Sequence, residues 1–266
     1  MFMVPLGVYW GTKLCMYRTW IFFVSPLYNS YWFWLITGFI TVGLVYNFMK
    51  TWLSDPGVIR SSHKEKLRMI SELSESPDGT FDSQNFCTTC LVRRRARSKH
   101  CSVCKCCIKK FDHHCPWVGN CIGANNHRNF VAYLFFQSSA MIACVYGCLM
   151  YWIYNCGGLT FRNVFYCSPW VTYNFLQAVA HTAWVAAMFF CQIYQVGTSM
   201  TTNERMNAYR YKHFHVAGNR YRIKSPFSKG CCRNMSEFFN CFSDVERQNE
   251  EWEEQLNSTK TKIQIT

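Results

Sequence analysis

The chain has 266 residues, of which 50% are hydrophobic and 18% aromatic, and its formal net charge is +13. This content suits a globular protein or a membrane protein, and only the distribution of the residues distinguishes the two classes. The charge would also fit a nucleic-acid-binding protein, but the basic residues border apolar segments. That placement argues against nucleic acid and favours anionic lipid headgroups or an anionic cofactor.

Three uncharged segments predict membrane-spanning helices. The first is Tyr31–Met49, and the others are Phe130–Tyr154 and Val171–Thr202, in which His181 is the only titratable residue. At a rise of about 1.5 Å per residue the first segment would be about 29 Å long, enough to cross the hydrocarbon core of a bilayer.

A fourth span is expected in residues 1–24, which are apolar apart from Lys13 and Arg18. Each cation costs roughly 2.5–3.5 kcal/mol at the centre of a bilayer, so these side chains must face a bundle interior or reach the interface. The segment lacks the basic start and small-residue cleavage site of a signal peptide. We therefore expect an all-α polytopic membrane protein with a four-helix transmembrane bundle.

The basic residues predict the orientation of this bundle. Lys and Arg are concentrated in residues 51–129 and after 198, whereas Arg162 is the only one between 130 and 197. Loops rich in Lys and Arg stay in the cytosol, so we place both basic regions there and residues 155–170 on the opposite side. Cys156 and Cys167 would then lie in an oxidising compartment, where they either pair or remain free thiols.

Turn residues divide the chain further. Asp55-Pro56-Gly57 ends the second helix, a polar linker follows, and Thr201-Thr202-Asn203-Glu204 begins the tail as a potential capping box. No internal repeat of 30–40 residues is apparent. We expect five regions: transmembrane helices at 1–50, a cytosolic linker at 51–86, a Cys-rich domain at 87–129, two further transmembrane helices at 130–200 and a cytosolic tail at 201–266.

The Cys-rich domain has the ligand spacing of zinc sites. Cys-x2-Cys pairs recur within it, and each pair supplies two ligands from one turn of the chain. Six cysteines and two histidines make two Cys3His sites: Cys87, Cys90, His100, Cys107, Cys101, Cys104, His114 and Cys121. The spacing allows an interleaved pairing (Cys87, Cys90, His100 and Cys107 against the other four) or a sequential one. The domain would fold only with its metal.

Cys115 stands apart from this ligand set. It follows Asp112 and His113, and a cysteine beside an imidazole is activated because the imidazolium stabilises the thiolate nucleophile. His113 would then be the base, and Asp112 would fix its tautomer. The alternative is that Cys115 is another ligand candidate and His113 an exposed loop residue.

The segment from Asp112 through Cys121 to Gly123, preceded by the Cys-x2-Cys pairs, resembles the DHHC family of protein S-acyltransferases (palmitoyltransferases). Asp55-Pro56-Gly57 resembles the family's Asp-Pro-Gly motif, and residues 201–204 resemble its Thr-Thr-x-Glu motif. Residues 202–208 and 211–214 are most similar to the ankyrin-repeat, huntingtin-interacting branch, although no ankyrin domain is expected within these residues.

The resemblance implies a mechanism and a set of roles. Cys115 would be acylated by a fatty acyl-CoA such as palmitoyl-CoA and would pass the acyl group to cysteines of substrate proteins in two ping-pong steps. His113 would be the general base and Asp112 would orient it. The family pattern favours the interleaved pairing and two structural zinc ions, and it implies supporting roles for Thr202 and Asn234.

Partners and location follow from the same resemblance. The family's basic residues before the first zinc-ligating histidine meet the phosphates of CoA, which implies that role for Arg94, Arg97 and Lys99, although headgroup contact or charge balance would also explain them. Further expected partners are the lipid bilayer and cytosolic or membrane-associated proteins with juxtamembrane cysteines. The expected location is the Golgi or endoplasmic reticulum membrane, with the active site and the C-terminus cytosolic.

Two features leave the interpretation open. Arg95 stands where many family members have proline, which would alter the loop before His100. Cys231, Cys232 and Cys241 are either lipidated juxtamembrane thiols or unmodified. A zinc-stabilised membrane scaffold without catalysis is the main alternative function, and a membrane-bound zinc ubiquitin ligase is a weaker one because it leaves Cys115 unexplained.

Overall fold

The computed structural model describes residue 11 and residues 31–74, 86–211, 214–216 and 219–240. The span expected in residues 1–24 and the tail beyond residue 240, including Cys241, lie outside the described residues. The chain divides into two compact units. One unit contains residues up to 52 with 116–119 and 129–193, and the other contains 53–115, 120–128 and the residues from 194 onward.

In the part of the chain that the structure describes, four α-helices precede the tail. They are α1 (Tyr31–Leu53), α2 (His63–Ser74), α3 (His127–Asn155) and α4 (Pro169–Gly197). Among the described residues α1, α3 and α4 are long and apolar enough to cross a membrane, which confirms the three uncharged segments as candidate spans. The linker expected at 51–86 contains α2.

Aromatic rings hold the first unit together. The Phe39 ring of α1 meets the Phe136 ring of α3 edge to face, and the Phe48 ring of α1 meets the Tyr133 ring of α3 in the same way. In each pair the ring centres are 5.6 Å apart. Gly43 allows this approach, because a Cβ there would fall 2.5 Å from the Phe136 ring. The interface of α3 and α4 is a buried cluster of apolar side chains: Met141, Cys144, Cys148, Trp152, Val171 and Ala178.

The segment joining α3 to α4 is closed by a disulfide between Cys156 and Cys167. One of the two states expected for these cysteines is therefore observed. A π-helical turn spans Asn163–Cys167, and the Thr172 hydroxyl donates to the carbonyl of Val164. Val164 packs against the cluster between α3 and α4, so the segment folds back on its own unit.

The Cys-rich region is built from three antiparallel hairpins and not from helices, so the all-α expectation is wrong for this region. The hairpins pair β1 (Phe86–Cys87) with β2 (Val92–Arg93), β3 (Lys99–Cys101) with β4 (Cys106–Ile108), and β5 (His113–Cys115) with β6 (Asn120–Ile122). Each hairpin is too short to be stable alone. Ile108 and Phe111 pack with Cys101 and Cys121 in a buried cluster, and Ile122 is also buried, which gives this region a small apolar core.

The Asp-Pro-Gly segment connects α1 to these hairpins. The Asp55 carboxylate accepts hydrogen bonds at 2.8 Å from the backbone N–H groups of Gly57 and Val58. Gly57 has a φ of +106°, a conformation that residues with a side chain rarely adopt. The chain then pairs with β4, since Lys109 donates to the Gly57 carbonyl and Ile59 to that of Cys107, both at 2.8 Å. The motif therefore acts as a turn that docks the linker on the second hairpin.

The tail folds into short elements after α4. They are α5 (Thr202–Met206), a 3-10 turn at Ala208–Arg210, the hairpin of β7 (His215–Val216) and β8 (Asn219–Ile223), and α6 (Cys231–Phe239). Thr201 caps α5: its hydroxyl accepts from the Glu204 N–H, and the Glu204 carboxylate accepts from the Thr201 N–H. This confirms the predicted capping box. Helix α4 ends at Gly197, before the boundary expected at residue 200.

Candidate functional site

Two groups of side chains in the second unit have the donor set of a metal site. Cys87, Cys90, His100 and Cys107 form one group, and Cys101, Cys104, His114 and Cys121 form the other. Within each group all ligand atoms lie within 4.8 Å of one another. These are the interleaved sets, so the sequential pairing is wrong.

The spacing of these atoms fits tetrahedral zinc. Zn–S bonds of about 2.3 Å and Zn–N bonds of about 2.0 Å place neighbouring ligand atoms roughly 3.5–3.8 Å apart. In the first group Nδ1 of His100 lies 3.5, 3.2 and 3.9 Å from the sulfurs of Cys87, Cys90 and Cys107. In the second, Nδ1 of His114 lies 3.4 and 3.5 Å from those of Cys104 and Cys121. Three sulfurs and one nitrogen so arranged suit zinc better than a harder cation.

Strand alternation explains the interleaving. Successive side chains of a β-strand point to opposite faces. His100 and Cys101 are neighbours on β3, so one enters the first group and the other enters the second. The adjacency of His100 and Cys101 is visible in the sequence, and once these residues lie on a strand it favours the interleaved pairing.

The same alternation separates the candidate nucleophile from the metal ligands. On β5, His114 points to the second group, while its neighbours His113 and Cys115 share the opposite face. Cys115 is buried, and its thiol interacts with the His113 imidazole. Cys115 belongs to neither ligand group, so the possibility that it is a further ligand finds no support.

Asp112 fixes the His113 ring. Its Oδ2 lies 2.7 Å from Nδ1 of His113, and the carboxylate is almost completely shielded from solvent. Burial alone would raise the pKa of Asp112, but the positive fields of His127 and His113 and the hydrogen bond from the Thr202 N–H hold that pKa well below its usual range. The aspartate is therefore a permanent anion that orients the ring.

His113 is shifted in the opposite direction. Burial lowers its pKa, but the bond to Asp112 and the interaction with Cys115 outweigh burial and raise the pKa to about 9. The charged imidazolium is thus stabilised beside the thiol, as an ion pair with a thiolate requires. Asp112, His113 and Cys115 thus form a connected carboxylate–imidazole–thiol group.

Thr202 joins this arrangement from the start of α5. Its N–H donates to Oδ1 of Asp112 at 2.7 Å, and its hydroxyl lies 2.8 Å from Oδ2. The hydroxyl is also 3.0 Å from Oε1 of Gln195, a buried residue in the last turns of α4. The structure thus brings Thr202 into contact with Asp112. Gln195 was missed, because one glutamine in an apolar helix carries no local signal.

Two of the three basic residues expected to meet CoA phosphates, Arg97 and Lys99, have other contacts. Nε and Nη2 of Arg97 donate to the two carboxylate oxygens of Glu204 at 2.6 and 2.7 Å, and both side chains are buried, 7% and 5% exposed. Its guanidinium also lies 4.2 Å from the centre of the Phe227 ring. Nζ of Lys99 donates to Oδ1 of Asn203 at 2.7 Å. Arg94 is half-buried. The α5 segment thus contacts the Cys-rich region at three successive positions.

Asn234 anchors α6 within the second unit. Its Nδ2 donates to the Gly197 carbonyl at 2.7 Å and to the Ser228 hydroxyl at 2.9 Å, while its Oδ1 accepts from the Lys229 N–H. Its buried amide therefore connects the end of α4 to the tail.

Comparison with known proteins agrees with these observations. Residues 80–209 match the family model described as DHHC palmitoyltransferase. The chain is 46% identical over 254 residues to "Palmitoyltransferase ZDHHC17" of Danio rerio, covering 89% of this chain and 39% of that protein. It is 38% identical over 263 residues to "Palmitoyltransferase Hip14" of Drosophila melanogaster (95% and 40% covered). It is 33% identical over 247 residues to "Palmitoyltransferase ZDHHC13" of Homo sapiens (90% and 39%). These proteins represent the branch that residues 202–208 and 211–214 resemble.

Proposed function

We propose that this chain, whose residues 80–209 match the DHHC palmitoyltransferase family model, is a membrane-embedded protein S-acyltransferase. The observation that carries the proposal is the 2.7 Å contact between Asp112 and His113, with Cys115 on the same strand face as His113 and outside both ligand groups. The chain spans about two fifths of the length of its relatives, so the activity proposed is that of the part they share.

The first step is acylation of Cys115. His113 accepts the thiol proton, the sulfur attacks the carbonyl carbon of a fatty acyl-CoA such as palmitoyl-CoA, and the C–S bond to CoA breaks. The departing CoA sulfur takes the proton from His113. Thioester is exchanged for thioester, so no oxidant or reductant is needed.

The second step reverses the roles of the sulfurs. A cysteine thiol of a substrate protein gives its proton to His113 and attacks the acyl carbon on Cys115. Cys115 leaves and recovers the proton, which completes a ping-pong cycle. Asp112 acts throughout by orienting the ring through Nδ1 and by stabilising its charged form.

Two zinc ions fit the two Cys3His groups, and their proposed role is structural. Four protein ligands leave no open position for a substrate, which is typical of structural zinc. Zinc supplies rigidity to hairpins that have little core of their own, and it neutralises thiolate charge. With His114 held by the metal, the strand presents His113 and Cys115 on its other face.

The membrane setting explains how the substrates would arrive. Three candidate spans make the chain a membrane protein, and we propose that the acyl chain of the donor enters from the bilayer. The basic loop and tail favour a cytosolic Cys-rich domain. The Cys156–Cys167 disulfide supports the same orientation, because that segment then faces an oxidising lumen. Golgi or endoplasmic reticulum membranes and substrates with juxtamembrane cysteines complete the proposal.

The role of CoA-phosphate contact for Arg94, Arg97 and Lys99 remains a prediction. Arg97 is the least available of the three, because its guanidinium already forms a buried ion pair with Glu204. Lys99 is partly buried and bonded to Asn203, and Arg94 lies on the same loop.

Acyl-enzyme formation tests the proposal directly. Purified protein is incubated with a labelled palmitoyl-CoA analogue, and a hydroxylamine-sensitive adduct is expected on Cys115. Cys115→Ser should abolish the adduct while two zinc ions per chain remain bound. Cys106→Ser is the matched control, because Cys106 lies in the same region outside both ligand groups, and burial and nearby thiols raise its pKa to about 11.

Equal labelling of the Cys115→Ser variant would show that the nucleophile is wrongly assigned. A zinc-loaded protein that never labels, with Cys115 intact, would favour the scaffold alternative. Loss of zinc from the Cys115→Ser variant would indicate that Cys115 is a zinc ligand.

A further inference from the structure

The segment between α3 and α4 exposes an unusual amount of aromatic surface. Tyr154 at the end of α3 is 73% exposed, and Phe161 and Tyr166 within the segment are each 74% exposed. Phe165 is also exposed, and its ring centre lies 4.7 Å from that of Phe161. Exposed aromatic patches of this kind mark interaction surfaces more often than water-facing loops.

These rings are held on a rigid support. The disulfide joins cysteines 11 positions apart and closes the segment into a loop. The Gly158 N–H donates to the Trp152 carbonyl at 3.0 Å, and the Thr172 hydroxyl donates to the carbonyl of Val164. Because Val164 packs inward against the α3–α4 cluster, the π-helical turn has an inner face fixed to the unit and an outer aromatic face.

The composition of the loop identifies what covers that outer face. Arg162 is the only charged residue between positions 155 and 170. The loop is continuous with two helices that are long and apolar enough to cross a membrane. At the start of α4 the rings of Trp170 and Tyr173 are stacked, with their centres 5.6 Å apart. Both side chains are exposed. Tryptophan and tyrosine concentrate at the headgroup level of membranes, where an amphipathic ring meets both lipid and water.

We propose that the disulfide-closed loop, residues 156–167, is seated in the interfacial layer of the bilayer, with Phe161, Phe165 and Tyr166 in contact with lipid. Arg162 extends its guanidinium outward to headgroup phosphates, as long basic side chains do at this depth. An unpaired backbone N–H or C=O group is costly where water is scarce. The hydrogen bonds within the π-helical turn pair these groups, so the turn can lie in the interfacial layer. The occupant of the aromatic face is phospholipid, and the inference is independent of the acyl-transfer function.

Photo-crosslinking in a bilayer tests this seat. The full chain is reconstituted in phosphatidylcholine vesicles with p-benzoylphenylalanine at position 161 or 166. The same probe at position 184, where the exposed Trp184 lies near the middle of α4, is the lipid-facing reference. Position 209, an exposed tyrosine beyond the last span, is the comparison outside the spans. Mass spectrometry counts lipid adducts and confirms that Cys156 and Cys167 stay bonded in each variant.

Lipid adducts at positions 161 and 166 are expected at a yield similar to that at 184 and about fivefold above that at 209, since interfacial side chains contact acyl chains while water-facing ones do not. Yields at 161 and 166 no higher than at 209, with position 184 reacting normally, would overturn the seat. Adducts to a second protein chain in place of lipid would overturn it as well, because the aromatic face would then be a protein interface.

Discussion

Thr202 and Asp112 lie 90 residues apart in the chain, yet both carboxylate oxygens of Asp112 receive a hydrogen bond from Thr202. Oδ2 of Asp112 is at the same time 2.7 Å from Nδ1 of His113. Thr202 therefore sets the plane of the carboxylate that orients the proposed base. A tail residue with no reacting atom is thus placed to control the geometry of the candidate active site.

Thr202→Val keeps the shape of the side chain and removes its hydroxyl. A hydrogen bond to a charged group contributes about 1.5–3 kcal/mol, so acylation of Cys115 should slow roughly 10- to 100-fold. Thr202→Ser restores the hydroxyl and should recover most of the rate. Single-turnover labelling measures both variants, and zinc content should not change. A Thr202→Val variant that acylates at the parent rate would show that the hydroxyl has no positioning role.

Arg97→Met leaves the Glu204 carboxylate buried without its cation. Removing one partner of a buried pair typically costs about 3–5 kcal/mol, so the second unit should lose much of its thermal stability. Arg60→Met is the matched control, because Arg60 pairs with Asp55 at a site where its side chain is 78% exposed, and exposed pairs contribute only about 0–1 kcal/mol. Both melting curves are recorded with zinc bound.

The same pair of variants tests the phosphate role of Arg97. If Arg97→Met raises the KM for acyl-CoA while the melting temperature stays at the parent value, the guanidinium acts on CoA and not on the fold. A lowered melting temperature with an unchanged KM in the folded fraction would show that the Arg97 guanidinium stabilises the fold by pairing with Glu204 and does not bind CoA.

Cys104→Ala removes one ligand of the second metal group. The variant should bind less than two zinc ions and should expose the Cys-rich region to proteolysis, because folding and metal binding are coupled there. Cys106→Ala is the matched control, because Cys106 lies two residues away at the start of β4, and this variant should keep both ions. Elemental analysis checks the zinc content, and two ions on Cys104→Ala would contradict the ligand assignment.

Because Cys156 and Cys167 form a disulfide, they should react with a thiol label only after reduction, whereas Cys231 and Cys232 should react without it. After hydroxylamine treatment, denatured but unreduced protein should react with maleimide at Cys231 and Cys232 and not at Cys156 or Cys167. Reduction should add two labels, at positions 156 and 167. Labelling of both cysteines before reduction would show that the pair does not form in cells and would remove the support it lends to the orientation.

Structural features that depend on a few neighbouring residues could be predicted from the sequence. Uncharged runs predicted the three candidate spans, the Cys/His spacing predicted the two groups that could hold a metal, and the capping box at Thr201 was predicted correctly. The helix ends were less accurate, because α4 stops at Gly197 where the capped turn of α5 redirects the chain. Hydropathy alone does not register that change, since Thr198 and Met200 are also uncharged.

Contacts between distant segments were not predictable in the same way. Arg97 carries the same charge as its neighbours in a basic run, and only the fold selects it to meet Glu204, 107 residues later. Gln195 is similar, because nothing in an apolar helix indicates which polar side chain will approach Thr202. Strand alternation at His100 and Cys101 is the exception, since a local rule determined a long-range pairing there.

The Cys156–Cys167 disulfide and the thiols of the two Cys/His groups require opposite redox conditions during purification. Strong thiol reductants protect the cysteines of the ligand groups but open the Cys156–Cys167 bond, and dithiols also compete for zinc. Omitting the reductant preserves the bond but leaves the ligand thiols prone to oxidation whenever the metal dissociates. A preparation kept in excess zinc with a weak, non-chelating reductant should therefore retain both features, whereas routine conditions would sacrifice one of them.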